Sequence, residues 1–224
     1  MISLSLDRFI HYLDDDLVVI NKPAGMPSVP GKNPHFPHNL YHWLQNEMPP
    51  IYVVHRLDTN TSGLIVFART RRAQSLISQQ FQNRHINKTY FALVQGRPKQ
   101  NYIEVHYPIA SDWPRRPLQK LDWNTGKPCL TQLIVAENRE NHTLVELHPI
   151  TGRSHQLRIH CALLGLPIVG CELYATPDPG AFGRFIPPLQ VSDKQLHLHA
   201  AKLEITQPTT AERLIFEATA EFMK

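Results

Sequence analysis

The sequence predicts an α+β fold: a mostly antiparallel, mixed β-sheet flanked by helices and loops. Strand signals outnumber helix signals, and through the middle of the chain they follow one another with turns rather than helices between them. The 224 residues, 42% hydrophobic and 19% charged, suffice for a sizeable core without staples. One domain spanning residues 1–224 is expected, because no internal repeat, low-complexity tract or Gly/Ser-rich linker divides the chain.

The elements follow in order. Residues 17–20 are a short apolar run, a buried strand stopped by Asn21-Lys22-Pro23-Ala24-Gly25. Residues 27–37 form a loop punctuated by Gly and Pro, and 38–48 a short helix that must end before Pro49-Pro50. Residues 52–55 and 64–68 read as strands around the polar turn 56–63. Between 71 and 84, Ala73, Leu76, Ile77 and Phe81 fall on one face, which makes an amphipathic helix. Strands are expected at 88–96, 102–107, 129–136 and 143–148. A second helix over 154–164 packs Leu157, Cys161 and Leu164 and stops at Gly165. A Pro-rich stretch, 177–188, reads as a surface loop, and strands at 196–206 and 213–218 close the chain.

Several function classes are excluded. The apolar run at 17–20 is far short of the roughly 18 residues of a membrane span, and Asp7, Asp14, Asp15 and Asp16 stand where a secretory leader would be basic. Cys129, Cys161 and Cys171 form no CxxC pair, so neither a disulfide framework nor a cysteine zinc site is expected; a reducing cytoplasm is. His35, His38 and His42 lie near one another, and His197 and His199 alternate on a strand, but no HExxH pattern accompanies them and no metal is expected. With no P-loop and no GxGxxG, no cofactor is expected either.

Charge points to a polyanionic partner. The net charge is only +4, yet residues 69–127 hold 11 of the 23 Lys and Arg and only three acids, Glu104, Asp112 and Asp122, a local +8. Two polar clusters can carry chemistry. His55-Arg56-Leu57-Asp58-Thr59-Asn60-Thr61-Ser62-Gly63 sets an acid, a base and a cation between two apolar strands, where loops on a rigid scaffold concentrate catalytic groups. The residues alone equally allow Asx-turns at Asp58 and Asn60 beside a surface Arg56. In the second cluster, from Thr151 to His160, His155 and Arg158 share a helix face, and Arg158 can hold a carboxylate or stand as a solvated charge.

His55-Arg56-Leu57-Asp58 followed by Thr61-Ser62-Gly63-Leu64 resembles the signature of the RluA-type pseudouridine synthases. Lys88-Thr89-Tyr90 resembles the family's Lys-x-Tyr strand, the Thr151–His160 run its arginine-bearing helix, and Gly165 to Gly170 with Tyr174 the loop after it. Asn21 to Gly25 matches the opening turn, so the resemblance spans about residues 17–206. It implies a cofactor-free isomerase that breaks the C1′–N1 bond of an RNA uridine, turns the uracil and joins C5 to C1′. It assigns Asp58 as catalytic carboxylate, Arg158 as its ion-pair partner, Tyr90 as the aromatic against the uracil, and Arg56 as the filler of the space left by the flipped nucleotide. His55, Thr61, Ser62, Gly63 and His155 support these groups.

Candidate phosphate contacts are Arg69, Arg71, Arg72, Arg84, Lys88, Arg115, Arg116 and Lys120. The stretch from Asp112 to Lys120 is similar to dual-specificity members, which implies 23S rRNA, a tRNA anticodon loop, or both as partners. An S4-like N-terminal domain is not expected, nor a membrane partner, and without a long apolar heptad a monomer is expected. One departure is Cys171, where the family usually has Asp; it is expected to alter local loop contacts without touching the reaction residues.

Overall fold

A computed structural model describes residues 6–31, 38–178, 181, 183–188 and 195–224; part of the expected loop at 27–37, with His35, and part of the Pro-rich stretch lie outside them. The chain divides into two compact units, Met1–Lys88 with His199–Ala220, and Thr89–Leu198 with Glu221–Lys224. The first opens with β1 (Ile10–Leu13), β2 (Leu17–Lys22), α1 (Leu40–Glu47), β3 (Tyr52–Val53), β4 (Ser62–Ala68) and α2 (Arg71–Gln82). Then come β5 (Asn87–Gln95), most of it in the second unit, β6 (Tyr102–Val105), β7 (Ile109–Ser111), β8 (Gln119–Leu121), β9 (Thr131–Asn138), β10 (His142–Pro149), α3 (Gln156–Leu163), β11 (Thr176–Pro177) and β12 (Phe185–Ile186). β13 (Leu198–Thr206) and β14 (Arg213–Glu217) bring the chain back to the first unit.

In the first unit β2 pairs antiparallel with β1 and β4, while β13 runs parallel to β4 through His199↔Ser62 and Ala200↔Gly63. All seven residues of β4 are buried, which is why its sequence is a continuous apolar run and not an alternation. α2 starts at Thr70, whose hydroxyl accepts the Ala73 N–H at 3.0 Å, and its buried Ala73 and Ile77 pack with Leu17, Val66 and Ile205. The strand expected over 52–55 ends at Val53, because the Val66 N–H donates to the His55 ring and is lost to pairing.

In the second unit β5, β10, β9 and β6 form an antiparallel run. β7 and β8 make a separate hairpin. The core there includes Val94, Leu133, Val145, Leu157, Ile159, Cys161 and Tyr174. α3 is two residues later than expected at its start and is buried over seven consecutive residues from Gln156 to Ala162, so it has no solvated face at its first turn. Antiparallel pairing dominates, and the fold is α+β with a mixed sheet. No helix of the described residues is long and apolar enough to cross a membrane.

Candidate active site

Asp58 lies half-buried on the loop before β4, and its two chain neighbours are pinned from below. Lys22, fully buried at the end of β2, donates from Nζ to the carbonyls of Pro23 (3.0 Å), Met26 (2.8 Å) and Thr59 (3.0 Å). Three donors thus meet three acceptors, which ties the turn after β2 to the residue following Asp58. Burial pulls the ammonium down to about 7, opposed by the negative charge of Asp58. On the other side, buried Ser28 donates from Oγ to the Leu57 carbonyl at 2.8 Å and accepts the Leu57 N–H at 3.1 Å. The loop closes on itself where the Thr61 N–H donates to the Asp58 carbonyl at 3.1 Å.

Below the loop, Ser62 Oγ lies 2.8 Å from His199 Nδ1, both residues being buried. Burial pulls the His199 imidazole down to about 4. Gly63 adopts φ +106° against β13, and a Cβ there would fall inside the Ala200 backbone. Only glycine permits this approach of the two strands.

His55 has a structural job. Its Nε2 accepts the Val66 N–H at 3.0 Å and its ring lies 4.5 Å from that of Phe81. An imidazole that accepts an amide proton there must be neutral in that position, in agreement with burial and the Lys88 charge pulling its pKa to about 3. Lys88 itself is half-buried and lowered by desolvation, unlike a surface phosphate contact, whereas Arg56 is exposed.

In the second unit Arg158 is 4% exposed on α3, its Nε donates to Cys171 Sγ at 3.5 Å, and its guanidinium lies 5.5 Å from the Tyr174 ring centroid. This corrects the expectation that Cys171 touches no reaction residue. Gly170, at φ +74°, turns the chain so that the thiol comes against the arginine. The shared helix face expected for His155 and Arg158 is also corrected: His155 precedes α3 in the left-handed region (φ 56°) and places Nδ1 2.5 Å from the Tyr174 hydroxyl. Buried Gln156 braces the approach to α3, accepting from the Arg153 N–H and Thr151 Oγ1 and donating to the Leu130 carbonyl and Thr131 Oγ1. Tyr90 is half-buried on β5, paired with Leu147 and packed on the core.

The basic surplus splits into two sets. Arg69 donates to the Asp14 carbonyl, Arg115 pairs with Asp112 (2.8 Å) and Asp178 (3.8 Å), and Lys120 pairs with Asp122 (2.8 Å). Arg71, Arg72, Arg84 and Arg116 are exposed, Arg71 over the Tyr52 ring and Arg116 over that of Trp113. Among the described residues no cluster of three His, Cys, Asp or Glu side chains is placed to hold a metal ion.

Residues 16–163, which span Asp58, Tyr90 and Arg158, match the family model described as RNA pseudouridylate synthase. The chain belongs to this family. It is an RNA pseudouridine synthase, an isomerase that converts uridine in RNA to pseudouridine. It is 44% identical over 204 residues to the dual-specificity RNA pseudouridine synthase RluA of Vibrio parahaemolyticus, covering 89% of this chain and 78% of that one. To the RluA of Escherichia coli K12 it is 41% identical over 214 residues, covering 95% and 93%. Among solved structures, human RNA pseudouridylate synthase domain containing 4 superposes with a TM-score of 0.75 at 26% identity, over 97% of this chain and 91% of that one. What sequence reasoning missed in this synthase is the buried support of Asp58. Lys22 was visible only as part of a turn, and nothing local to Ser28 or His199 announces the bonds they make.

Proposed function

We propose that this synthase isomerises a specific uridine in a structured RNA loop, of 23S rRNA, a tRNA anticodon stem-loop or both, and that Asp58 is its catalytic carboxylate. The observation that carries the reading is similarity to two dual-specificity enzymes at 41–44% identity over about nine-tenths of this chain. The pinning of Leu57 and Thr59 supports the role of Asp58: a carboxylate between two immobilised neighbours is preorganised for attack. Asp58 either adds to the ribose or uracil, or removes the proton that starts glycal formation. In both routes the C1′–N1 bond breaks, C5 bonds to C1′, the C5 proton leaves and N1 ends protonated, so the reaction is a net isomerisation.

Tyr90 stacks on the uracil and Arg158 supplies the counter-charge to Asp58, as the family pattern assigns. Arg56 fills the space of the flipped nucleotide; its exposure supports this. Arg71, Arg72, Arg115, Arg116 and Lys120 contact phosphates, and Lys88 adds a half-buried positive charge. Buried free thiols at Cys129, Cys161 and Cys171 support a reducing, cytoplasmic setting.

The test is tritium release from RNA labelled at uridine C5. The native protein releases tritium with both a 23S rRNA fragment and a tRNA anticodon stem-loop, or with one of them. Asp58→Asn lowers the rate at least about a thousandfold. Release by Asp58→Asn at the native rate would refute the assignment, and mapping the product names the uridine.

A further inference from the structure

The β7–β8 hairpin and the turn after it show two indoles to water, Trp113 at 70% and Trp123 at 60% exposure. Tryptophan is usually largely buried, so two in one short segment call for a reason. The segment beneath them is held firmly. Asp112, buried, accepts from Arg115 Nε at 2.8 Å, and its N–H donates to the Leu118 carbonyl at 3.0 Å. Asp122 accepts the N–H groups of Asn124 and Thr125 (both 3.0 Å) and the Thr125 hydroxyl (2.9 Å), which fixes the turn that carries Trp123.

Ile109 and Lys127 exchange both backbone hydrogen bonds, at 3.1 and 2.9 Å, and Gly126 sits where a Cβ would meet the Asp122 carbonyl. Behind Trp123, the Tyr107 ring packs edge-on at 6.0 Å, and Tyr107 in turn meets buried His160 at 6.4 Å. The indoles are therefore presented by an ordered scaffold.

Their surroundings say what they are presented to. The Arg116 guanidinium lies over the Trp113 ring, 3.1 Å from its centroid, which makes a two-layer stack of an aromatic and a cationic plane. Arg116 is exposed beside Trp113, and Asn124, Thr125 and Lys127 are exposed in the turn that carries Trp123. Flat π-faces beside cations fit unpaired nucleobases joined by phosphates, and the surplus of basic over acidic residues through 69–127 favours that polyanion.

We propose that Trp113 with Arg116, and Trp123 at the other end of the hairpin, are stacking sites for unpaired bases of the substrate RNA other than the target uridine. The proposal rests on the reading above that Arg115, Arg116 and Lys120 face RNA. It names bases, where that reading names only phosphates.

The test uses two single-tryptophan proteins, Trp43→Phe with Trp123→Phe and Trp43→Phe with Trp113→Phe, titrated with an RNA stem-loop and with a fully paired duplex. The remaining indole should be quenched by the stem-loop and unaffected by the duplex. Trp113→Ala and Trp123→Ala should each weaken stem-loop binding about five- to hundredfold, seen in KM, with the salt slope unchanged. Arg116→Ala should also reduce that slope by about one. Absence of quenching at saturating stem-loop, or native affinity in both alanine variants, overturns the stacking sites, whether or not the tryptophans prove to mediate self-association in sedimentation. Tritium release in the same samples reads the reaction separately, so an active enzyme with silent tryptophans refutes the stacking sites alone. Quenching without release refutes the catalytic reading alone.

Discussion

The loop that carries Asp58 and the hairpin that carries Trp113 and Trp123 are both polar and irregular, and they are held by different means. Under Asp58 the support is hidden: Lys22, Ser28, Thr61, Ser62 and His199 are all buried. In the hairpin Lys120 keeps a side-chain exposure of 29% while pairing with Asp122, which is itself not buried. A buried donor that loses its acceptor finds no water to replace it, so removing a hidden support costs the full desolvation of what remains. A partly exposed ion pair that is cut is largely replaced by solvent. Changes under Asp58 should therefore appear first as lost stability, and changes in the hairpin as lost binding.

The sharpest way to break that contrast is Gly63→Ala. The new Cβ would enter the Ala200 backbone at a φ of +106°, so the β4–β13 pairing beneath the loop must shift. Clash and backbone strain together should cost about 4 kcal/mol or more, and a thermal melt should fall steeply or show no folded state. Next is Lys22→Met, which keeps the side chain's length and removes its donors. The carbonyls of Pro23, Met26 and Thr59 lose that partner, and about 3 kcal/mol of stability should go. A urea midpoint within error of the native value would show that the loop is not supported as described.

These supports also mark how far the sequence could be read. The apolar runs at 17–20 and 64–68 and the helix face of Ala73 and Ile77 were legible because their periodicity comes from burying one face or both. The reactive loop was legible as a cluster, since residues 55–63 are contiguous. β7 and β8, three residues each, were not foreseen, because so short a run carries no period and their pairing depends on a partner eight to twelve residues away. The residues alone left the burial of Arg158 open for a related reason: polar residues at a helix start look solvated until the chain beyond Gly170 brings Cys171 against them. Lys22 is the clearest case, as an ammonium capped by three backbone carbonyls leaves no mark on its own neighbours.

Acid should reach the buried supports of both regions. Burial holds His55 at about 3 and His160 and His199 at about 4. All three lie below the ordinary value near 6.5, so the unfolded chain binds more protons than the folded one between those limits. Their contribution to stability is complete above about pH 6.5 and falls as pH drops toward 4, by about 1.4 kcal/mol per pH unit for each histidine. His199→Asn should remove one such increment from the slope, measured by urea unfolding between pH 7 and 4.5. An identical slope in that variant would mean that His199 is not held neutral. His160, which meets Tyr107 behind Trp123, gives the hairpin's scaffold the same acid response.

The smallest expected effects come from two arginines three residues apart that sequence reasoning grouped together. Arg69 donates to the Asp14 carbonyl and so belongs with the supports. Arg72 is exposed on the first turn of α2 and belongs with the presented groups. Arg69→Ala should lower stability by about 1 kcal/mol and leave the salt dependence of RNA binding unchanged. Arg72→Ala should move stability by less than about 0.5 kcal/mol and reduce the slope of log affinity against log salt by about one. The two readouts must cross: if Arg69→Ala lowers the salt slope, or Arg72→Ala lowers stability alone, exposure does not divide binding from support in this basic segment.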